Sequence, residues 1–114
     1  MLEAKRRKAI GYETESGERP FEDYLEDLKD KRGATKITSA VKKMETGNFG
    51  DYKSIAEGDG LYECRLNTGP GYRIYYIVDG DRLIILFGAS DKKGQQKAID
   101  RARDYVADYK RRSK

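Results

Sequence analysis

Residues Leu61–Asp91 read LYECRLNTGPGYRIYYIVDGDRLIILFGASD, a run of three strand-like segments separated by two glycine-containing turns. Asp79-Gly80 lies between two apolar runs and predicts a two-residue hairpin turn, because both residue types tolerate positive φ. This turn sets a register in which Val78 meets Asp81, Tyr76 meets Leu83, Ile74 meets Ile85 and Tyr72 meets Phe87. Strand alternation then puts a second set on the opposite face: Arg73, Tyr75, Ile77, Ile84 and Leu86. The sequence therefore predicts an antiparallel sheet with one almost wholly apolar face and one face that carries arginine.

The turn upstream spans Asn67–Gly71 and is predicted to be a five-residue loop, kept tight by its glycines and proline. Arg65 then lies directly opposite Arg73, whereas a four-residue loop would move Arg65 to the apolar face. The same register pairs Leu66 with Tyr72, Cys64 with Ile74, and Tyr62 with Tyr76. Like charges directly opposite each other destabilise a sheet by about 0.2 to 1 kcal/mol, so the paired arginines require an explanation.

Two explanations of the paired arginines are open from spacing alone. The first is an anionic ligand such as phosphate, because a guanidinium group presents two parallel donors to phosphate oxygens. The second is that Arg65 and Arg73 form ion pairs with Glu63, Glu57 or Asp59, or extend into solvent.

The chain has 114 residues, of which 39% are charged and 37% are hydrophobic. This size and composition predict one domain, residues 1–114, with one modest core. No apolar run reaches the roughly 18 to 20 residues that a membrane helix needs, and the first ten residues lack the long apolar core of a secretory signal. A cytoplasmic location is therefore expected. The formal net charge of +4 favours an acidic partner such as nucleic acid or an anionic protein.

Cys64 is the one cysteine of the chain and falls on the predicted apolar face. A disulfide framework, a cysteine-based metal cluster and a paired redox motif are therefore excluded within the chain. We expect Cys64 to pack in the core, and we expect no cofactor and no metal.

The segments before the sheet run predict a helical hairpin. Pro20 suits the first turn of a helix, and apolar residues follow at helical spacing: Phe21, Tyr24, Leu25 and Leu28. Gly33 is predicted to end this helix, and a second helix is predicted to close at Gly47. The apolar stripe of the second helix consists of Ala34, Ile37, Val41 and Met44. Lysines occupy the other positions of this hairpin, and we interpret them as a solvated face.

Two short segments and a terminal helix complete the predicted fold. Lys5–Thr14 can form a basic edge strand, and Asn48–Ala56 alternates in a way that is typical of a short strand. After Asp91, helical spacing returns through Ala98, Ile99, Ala102, Tyr105, Val106 and Tyr109. The predicted class is α+β, an antiparallel sheet with an N-terminal helical hairpin and a C-terminal helix, in the order β-α-α-β-β-β-α.

Four segments follow one another in this chain: FEDYLEDLKDKRGATKI, GNFGDYKSI, LYECRL and GPGYRIYYIVDGDRLIILFGASDKK. In this order they resemble the addiction-module killer proteins, a HigB-like branch of the RelE/ParE toxin superfamily. The resemblance covers about Phe21–Tyr105, and it implies a toxin of a type II toxin–antitoxin system with the fold predicted above. It also implies a cognate antitoxin, commonly a helix-turn-helix protein, that holds the toxin inactive and connects it to operator DNA.

The resemblance to the RelE-like branch implies a ribosome-dependent endoribonuclease that cuts messenger RNA in the decoding site. Cleavage requires an aligned 2′-hydroxyl, stabilisation of the extra negative charge on the phosphate, and a proton for the leaving 5′-oxygen. Arg73 matches the arginine of the family's GYR motif and is expected to clamp the phosphate, with Arg65 assisting. Lys53, Lys92 and Lys93 match further basic positions, which contact the RNA backbone or stabilise the leaving oxygen. Of these three, Lys92 is assigned to catalysis.

The chain has no histidine, so the acid–base pair of many ribonucleases cannot operate here. A lysine or arginine can act through charge and position, while Glu63, Asp91 or Tyr75 would have to transfer protons if a side chain does so. Tyr75 shares the predicted face of Arg73, where it either stacks on an RNA base or packs in the core. Some ribosome-dependent relatives have an aromatic residue or histidine after the last strand, where this chain reads KKGQQ, residues Lys92–Gln96.

Two other functions are open at this point. ParE-like members of the superfamily poison DNA gyrase through protein contacts and are not nucleases. The presence of Arg65, Arg73 and Lys92 argues against that function, because loss of the basic residues is expected there. The second alternative is an inactive member that binds only the antitoxin and acts as a corepressor.

Overall fold

The computed structural model describes residues 5–67 and 69–113, so Thr68 in the predicted Asn67–Gly71 loop lies outside the described residues, as do residues 1–4 and 114. The elements in chain order are β1 (Lys8–Gly11), α1 (Pro20–Asp27), α2 (Lys31–Glu45), β2 (Asp51–Ser54), β3 (Tyr62–Arg65), β4 (Arg73–Asp79), β5 (Leu83–Ser90) and α3 (Gln95–Arg112). The five strands form one sheet in the order β1-β5-β4-β3-β2.

The predicted α+β class is confirmed, but two details of the predicted architecture are wrong. The sheet contains one more strand than the predicted order, because the Asn48–Ala56 segment does form a short strand, β2, in addition to the three strands of the Leu61–Asp91 run. The sheet is also mixed rather than antiparallel, because β1 runs parallel to β5. β1 does lie at an edge of the sheet as predicted, and Glu45 covers that edge by accepting a hydrogen bond from Ala9 N at 2.8 Å.

The predicted register of β3 and β4 is confirmed. Arg65 pairs with Arg73, and the next positions along the strands pair Cys64 with Ile74, Glu63 with Tyr75 and Tyr62 with Tyr76. The side-chain alternation was sufficient here because β3 carries both charged and apolar residues, so only one register buries the apolar ones. Cys64 is buried as predicted.

The predicted register of β4 and β5 is wrong. Asp79 pairs with Leu83, which leaves the three residues 80–82 in the loop, and a bulge between Tyr75 and Tyr76 shifts the pairing again. Gly80 has a positive φ of 66°, while Asp79 belongs to β4. The register of β4 and β5 is shifted from the prediction by an odd number of residues. The side chains of β5 therefore lie on the faces opposite to those predicted, and Ile84 and Leu86 face away from Arg73 and Tyr75. Alternation could not reveal this, because β5 is apolar on both faces.

Each face of the sheet has its own hydrophobic core. The helical hairpin covers one face, and the buried residues there are Phe21, Ile37, Met44, Phe49, Cys64, Tyr72, Ile74, Tyr76, Ile84, Leu86 and Ala89. The C-terminal helix covers the other face as predicted, with Tyr12, Leu61, Tyr75, Ile77, Ile85, Phe87, Ile99, Ala102 and Val106. In the parts of the chain that the structure describes, no helix combines the length and apolar character needed to cross a membrane.

The prediction that Gly33 ends the first helix is wrong. α1 ends at Asp27, and α2 begins at Lys31 with Asp30 as its N-cap, whose side chain accepts a hydrogen bond from Gly33 N at 3.0 Å. Gly33 is a glycine for a different reason, because a Cβ at this position would lie 2.4 Å from Cε2 of Tyr72. The predicted end of the second helix near Gly47 is confirmed, since α2 ends at Glu45 and Gly47 has a φ of 94°.

Candidate functional site

The two arginines singled out from the sequence lie together at one end of the sheet, on the face covered by α3. Arg65 ends β3, Arg73 begins β4, and Ser90 ends β5, and the three are neighbours across the strands. The next row on this face of the sheet contains Lys53 of β2, Glu63 of β3 and Tyr75 of β4. We call the group Lys53, Glu63, Arg65, Arg73 and Gln95 the arginine–glutamate cluster.

The Glu63 carboxylate is the centre of this cluster and has no exposed surface. Its Oε1 accepts a hydrogen bond from Arg65 Nε at 3.2 Å and lies 3.8 Å from Lys53 Nζ. Its Oε2 accepts a hydrogen bond from Gln95 Nε2 at 2.7 Å and lies 3.4 Å from Arg73 Nε. The ion pairs considered from the sequence are therefore present with Glu63, whereas Asp59 pairs with Lys110 at 3.1 Å instead.

The ion pairs with Glu63 leave positive charge in excess. One carboxylate contacts three cationic side chains, those of Lys53, Arg65 and Arg73. Asp51 lies opposite Arg65 in the register and offsets part of this excess. The exposed Lys92 on the loop after β5 adds to it. The ion-pair explanation and the anion-binding explanation are thus compatible.

Arg73 is the most deeply buried cation of the cluster, with 8% of the residue exposed. Its Nη1 donates a hydrogen bond to the Gly71 carbonyl oxygen at 2.6 Å. Its buried Nε contacts Glu63 only as an ion pair, without hydrogen-bond geometry. By contrast, the Arg65 side chain is 37% exposed. Of the two arginines, Arg65 is therefore the more accessible from solvent, while the guanidinium of Arg73 is held inside the protein by Gly71 and Glu63.

Lys92 is brought to the same end of the sheet by the loop that precedes β4. Its backbone N–H donates to the Pro70 carbonyl oxygen at 3.1 Å. Gly71 lies between the two cationic residues, because a Cβ there would be 3.3 Å from Arg73 Nη1 and 3.5 Å from Lys92 Cβ. Gly71 also has a φ of 73°, which favours glycine. Lys93 is exposed on the loop that also carries Lys92 and joins β5 to α3.

Tyr75 is placed in the core, the second of its two predicted alternatives. It is fully buried, and its hydroxyl forms a 2.9 Å hydrogen bond with Ser90 Oγ. Burial raises the pKa of Tyr75 to about 12, so its hydroxyl keeps its proton at neutral pH. A buried ring has no face that an RNA base could stack on.

The other two acidic candidates for proton transfer are also engaged within the protein. Asp91 Oδ1 accepts a hydrogen bond from Gly94 N at 2.8 Å, which shapes the turn into α3. Both oxygens of Glu63 are occupied by the contacts given above. Among residues 5–67 and 69–113, no group of three or more histidine, cysteine, aspartate or glutamate side chains is arranged to hold a metal ion.

Sequence reasoning missed Gln95, Ser90 and Gly71. Gln95 is the first residue of α3, and its contact with Glu63 depends on how α3 docks on the sheet, which periodicity alone does not determine. Ser90 depends on the register of β5, which the apolar run left open. Gly71 carried a signal, because a glycine two residues before Arg73, at the start of the GYR motif, suggests a positive φ or a close approach.

Comparison with known proteins identifies relatives over most of the chain. The family model described as phage derived protein Gp49-like (DUF891) matches residues 23–108. An uncharacterized protein of Haemophilus influenzae is 40% identical over 83 residues, which are 73% of this chain and 82% of that protein. The range 23–108 includes all five residues of the arginine–glutamate cluster.

Proposed function

Since the chain belongs to the Gp49-like family, which is associated with toxin–antitoxin systems, we propose that it is the toxin of a type II pair. We propose further that it is a RelE-like endoribonuclease, which inhibits translation by cutting messenger RNA on the ribosome. A cognate antitoxin, commonly a helix-turn-helix protein, neutralises it and connects it to operator DNA. Its site of action is the cytoplasm.

The observation that carries the proposal is the excess of positive charge in the arginine–glutamate cluster. The transition state of RNA cleavage carries more negative charge on the phosphate than the ground state does, and fixed positive charge stabilises that difference. Arg65 is exposed enough to meet the phosphate, and Arg73 is held by a hydrogen bond to Gly71 and an ion pair with Glu63. A guanidinium fixed in advance does not reorganise during the reaction, which increases its effect.

The two arginines have different roles in this proposal. Substitution of Arg65 weakens RNA binding most, because Arg65 is the more exposed of the two. Substitution of Arg73 lowers the cleavage rate most, because its fixed charge acts on the transition state. Lys92 stabilises the leaving 5′-oxygen, and Lys53 and Lys93 contact the RNA backbone.

Proton transfer in this mechanism does not depend on a side chain with a pKa near 7. The chain has no histidine, and Tyr75, Glu63 and Asp91 are all engaged internally. The protein therefore acts by aligning the 2′-hydroxyl and by stabilising charge, while solvent or the ribosome accepts and supplies the protons.

The experiment that tests this function is a brief induction of the chain in cells that lack its antitoxin, followed by mapping of new 5′ ends in messenger RNA. We expect cuts in phase with codons, and we expect them to vanish with Arg73→Ala. Loss of one fixed charge-stabilising group lowers a rate by about 100- to 1,000-fold. Arg82→Ala is the matched control, because Arg82 is an exposed arginine in the turn at the opposite end of the β4–β5 hairpin.

Two other outcomes contradict the proposed nuclease, and a third contradicts the role of Arg73 in it. Growth arrest with DNA breaks but without new RNA ends indicates the gyrase poison. No arrest at all from folded protein indicates a corepressor that only binds the antitoxin. Undiminished cuts in a folded Arg73→Ala protein remove Arg73 from the mechanism.

A further inference from the structure

Glu63 combines three properties: it is a carboxylate, it has no exposed surface, and it contacts three cationic side chains. A buried charge is retained only when its partners compensate for lost hydration. In Glu63, each of the two carboxylate oxygens has its own partners. Oε1 faces Arg65 and Lys53, and Oε2 faces Arg73 and Gln95.

The two oxygens of Glu63 join two arginines that would otherwise repel each other. Arg65 and Arg73 are direct cross-strand neighbours, and like charges in such a pair push apart. Glu63 lies two residues before Arg65 on the same strand and therefore on the same face. Its carboxylate contacts the Nε atom of each arginine. The contact engages the inner side of each guanidinium and not its terminal nitrogens, of which Nη1 of Arg73 donates to the Gly71 carbonyl oxygen.

We propose that Glu63 is a positioning residue, which holds Arg65 and Arg73 at a fixed separation so that both guanidinium groups act on one phosphate. This inference rests on the proposed function. Gln95 takes part as the hydrogen-bond donor that orients Oε2, and it connects the start of α3 to the cluster. The sheet supplies the two arginines, and α3 supplies the contact that orients the carboxylate between them.

A role as general base for the 2′-hydroxyl is the competing role for a carboxylate at this place. A general base must lie within hydrogen-bond reach of the proton that it accepts. Glu63 is fully buried, and both of its oxygens already have partners. Protonation of Glu63 would also remove the negative charge that offsets the repulsion between the two arginines. The geometry therefore favours positioning over proton transfer.

The test compares Glu63→Gln with the wild-type protein in single-turnover cleavage of messenger RNA on purified ribosomes. Glutamine retains the shape of the side chain but not its charge, so Arg65 and Arg73 lose the group that holds them. We expect the cleavage rate to fall by about 100-fold, since a small misplacement of a catalytic group costs about that much. We expect ribosome binding to stay the same or tighten, because the cluster has gained net positive charge. A residue that served only folding would weaken binding and cleavage together.

Two further variants and the pH profile separate the possible roles. Glu26→Gln is the matched control, since it removes one negative charge from an exposed position of α1. Gln95→Ala should lower the cleavage rate in the same direction as Glu63→Gln but less, whereas a general base would remain available in it. If Glu63 acts by positioning, the cleavage rate of Glu63→Gln should be lower than that of the wild type by the same factor at every pH. Loss of an ascending limb from that profile would show a general base and overturn the proposal, as would an unchanged rate.

A spectroscopic measurement keeps this test independent of the nuclease activity. The Nε–H groups of Arg65 and Arg73 should give separate, slowly exchanging signals in proton–nitrogen NMR spectra of the wild-type protein. In Glu63→Gln these two signals should broaden or move to the position of free arginine, while backbone signals stay dispersed. Unchanged arginine signals would show that Glu63 does not hold the side chains. Changed signals in a protein that cuts no RNA would instead sustain the positioning and remove the proposed nuclease.

Discussion

Gly33→Ala is expected to destabilise the protein although Gly33 lies within a helix. An alanine Cβ would lie 2.4 Å from Cε2 and 2.7 Å from Cζ of Tyr72, and 2.7 Å from Asp30 Oδ2. Carbon atoms in contact are normally about 3.5 to 4.0 Å apart, so the ring would have to retreat by about 1 Å. The ring cannot easily do so, because Tyr72 is buried and its hydroxyl donates to Asp30 Oδ2 at 2.7 Å.

The expected size of the effect follows from two opposing contributions. Overpacking of a core costs about 1 to 3 kcal/mol, and the fixed ring places this site near the upper end. Replacing glycine by alanine in a helix returns about 1 kcal/mol. We therefore expect the free energy of unfolding to fall by about 1 to 2 kcal/mol, which lowers the Tm by about 4 °C for each kcal/mol in a domain of this size.

Urea unfolding followed by circular dichroism measures this loss, and a double-mutant cycle with Tyr72→Leu identifies its cause. In the Tyr72→Leu background the ring is absent, so Gly33→Ala should be neutral or stabilising there. A Gly33→Ala protein as stable as the wild type would refute the close approach of α2 to Tyr72. An equal loss in both backgrounds would locate the strain elsewhere.

Three further predictions concern ionisable groups. Burial raises the pKa of three tyrosines to about 12 each, namely Tyr12, Tyr72 and Tyr75. The stability that depends on their protonated form should be complete below pH 10 and lost as the pH rises towards 12. A urea unfolding midpoint that stays constant up to pH 11 would contradict this prediction. Hydrogen bonds from Tyr72 and Tyr12 lower the pKa of Asp30 and of Asp108, respectively. The stability that these carboxylates contribute should be lost as the pH falls below about 4. Asp30→Asn should therefore reduce the dependence of the free energy of unfolding on pH in the acid range. Burial raises the pKa of the Cys64 thiol to about 11; a thiol reagent at pH 8 should therefore label Cys64 only on unfolding, and rapid labelling of native protein would show that the site opens.

The part of the fold that could be predicted is the part where the residues differ between the two faces of an element. β3 places Glu63 and Arg65 on one face and Cys64 on the other, so alternation determines its register with β4. β5 is apolar on both faces, because one helical layer covers each of them, and its register had to come from the turn. The sequence signal for the turn was incomplete, since Asp79 extends β4 and three residues close the loop.

The candidate site could likewise be predicted only in part. Arg65 and Arg73 could be placed together because both belong to the β3–β4 register. The contacts of Gln95 and Ser90 could not be foreseen, because they depend on the docking of α3 and on the bulge in the β4–β5 pairing. The burial of Tyr75 depends on the same docking, which is why its position on the strand allowed stacking as well as the packing that the structure shows.

The position of the buried carboxylate explains why an ion pair and an anion site do not exclude each other at the paired arginines. A carboxylate on the solvent side of the arginines would compete with a phosphate for their terminal nitrogens. Glu63 instead contacts both Nε atoms from within the protein, and its position is held by α3 through Gln95. It removes the repulsion that the register imposes while Arg65 stays partly exposed. An internal counter-ion on the Nε side of these guanidinium groups therefore leaves room for an external anion on the side of Arg65 that stays exposed.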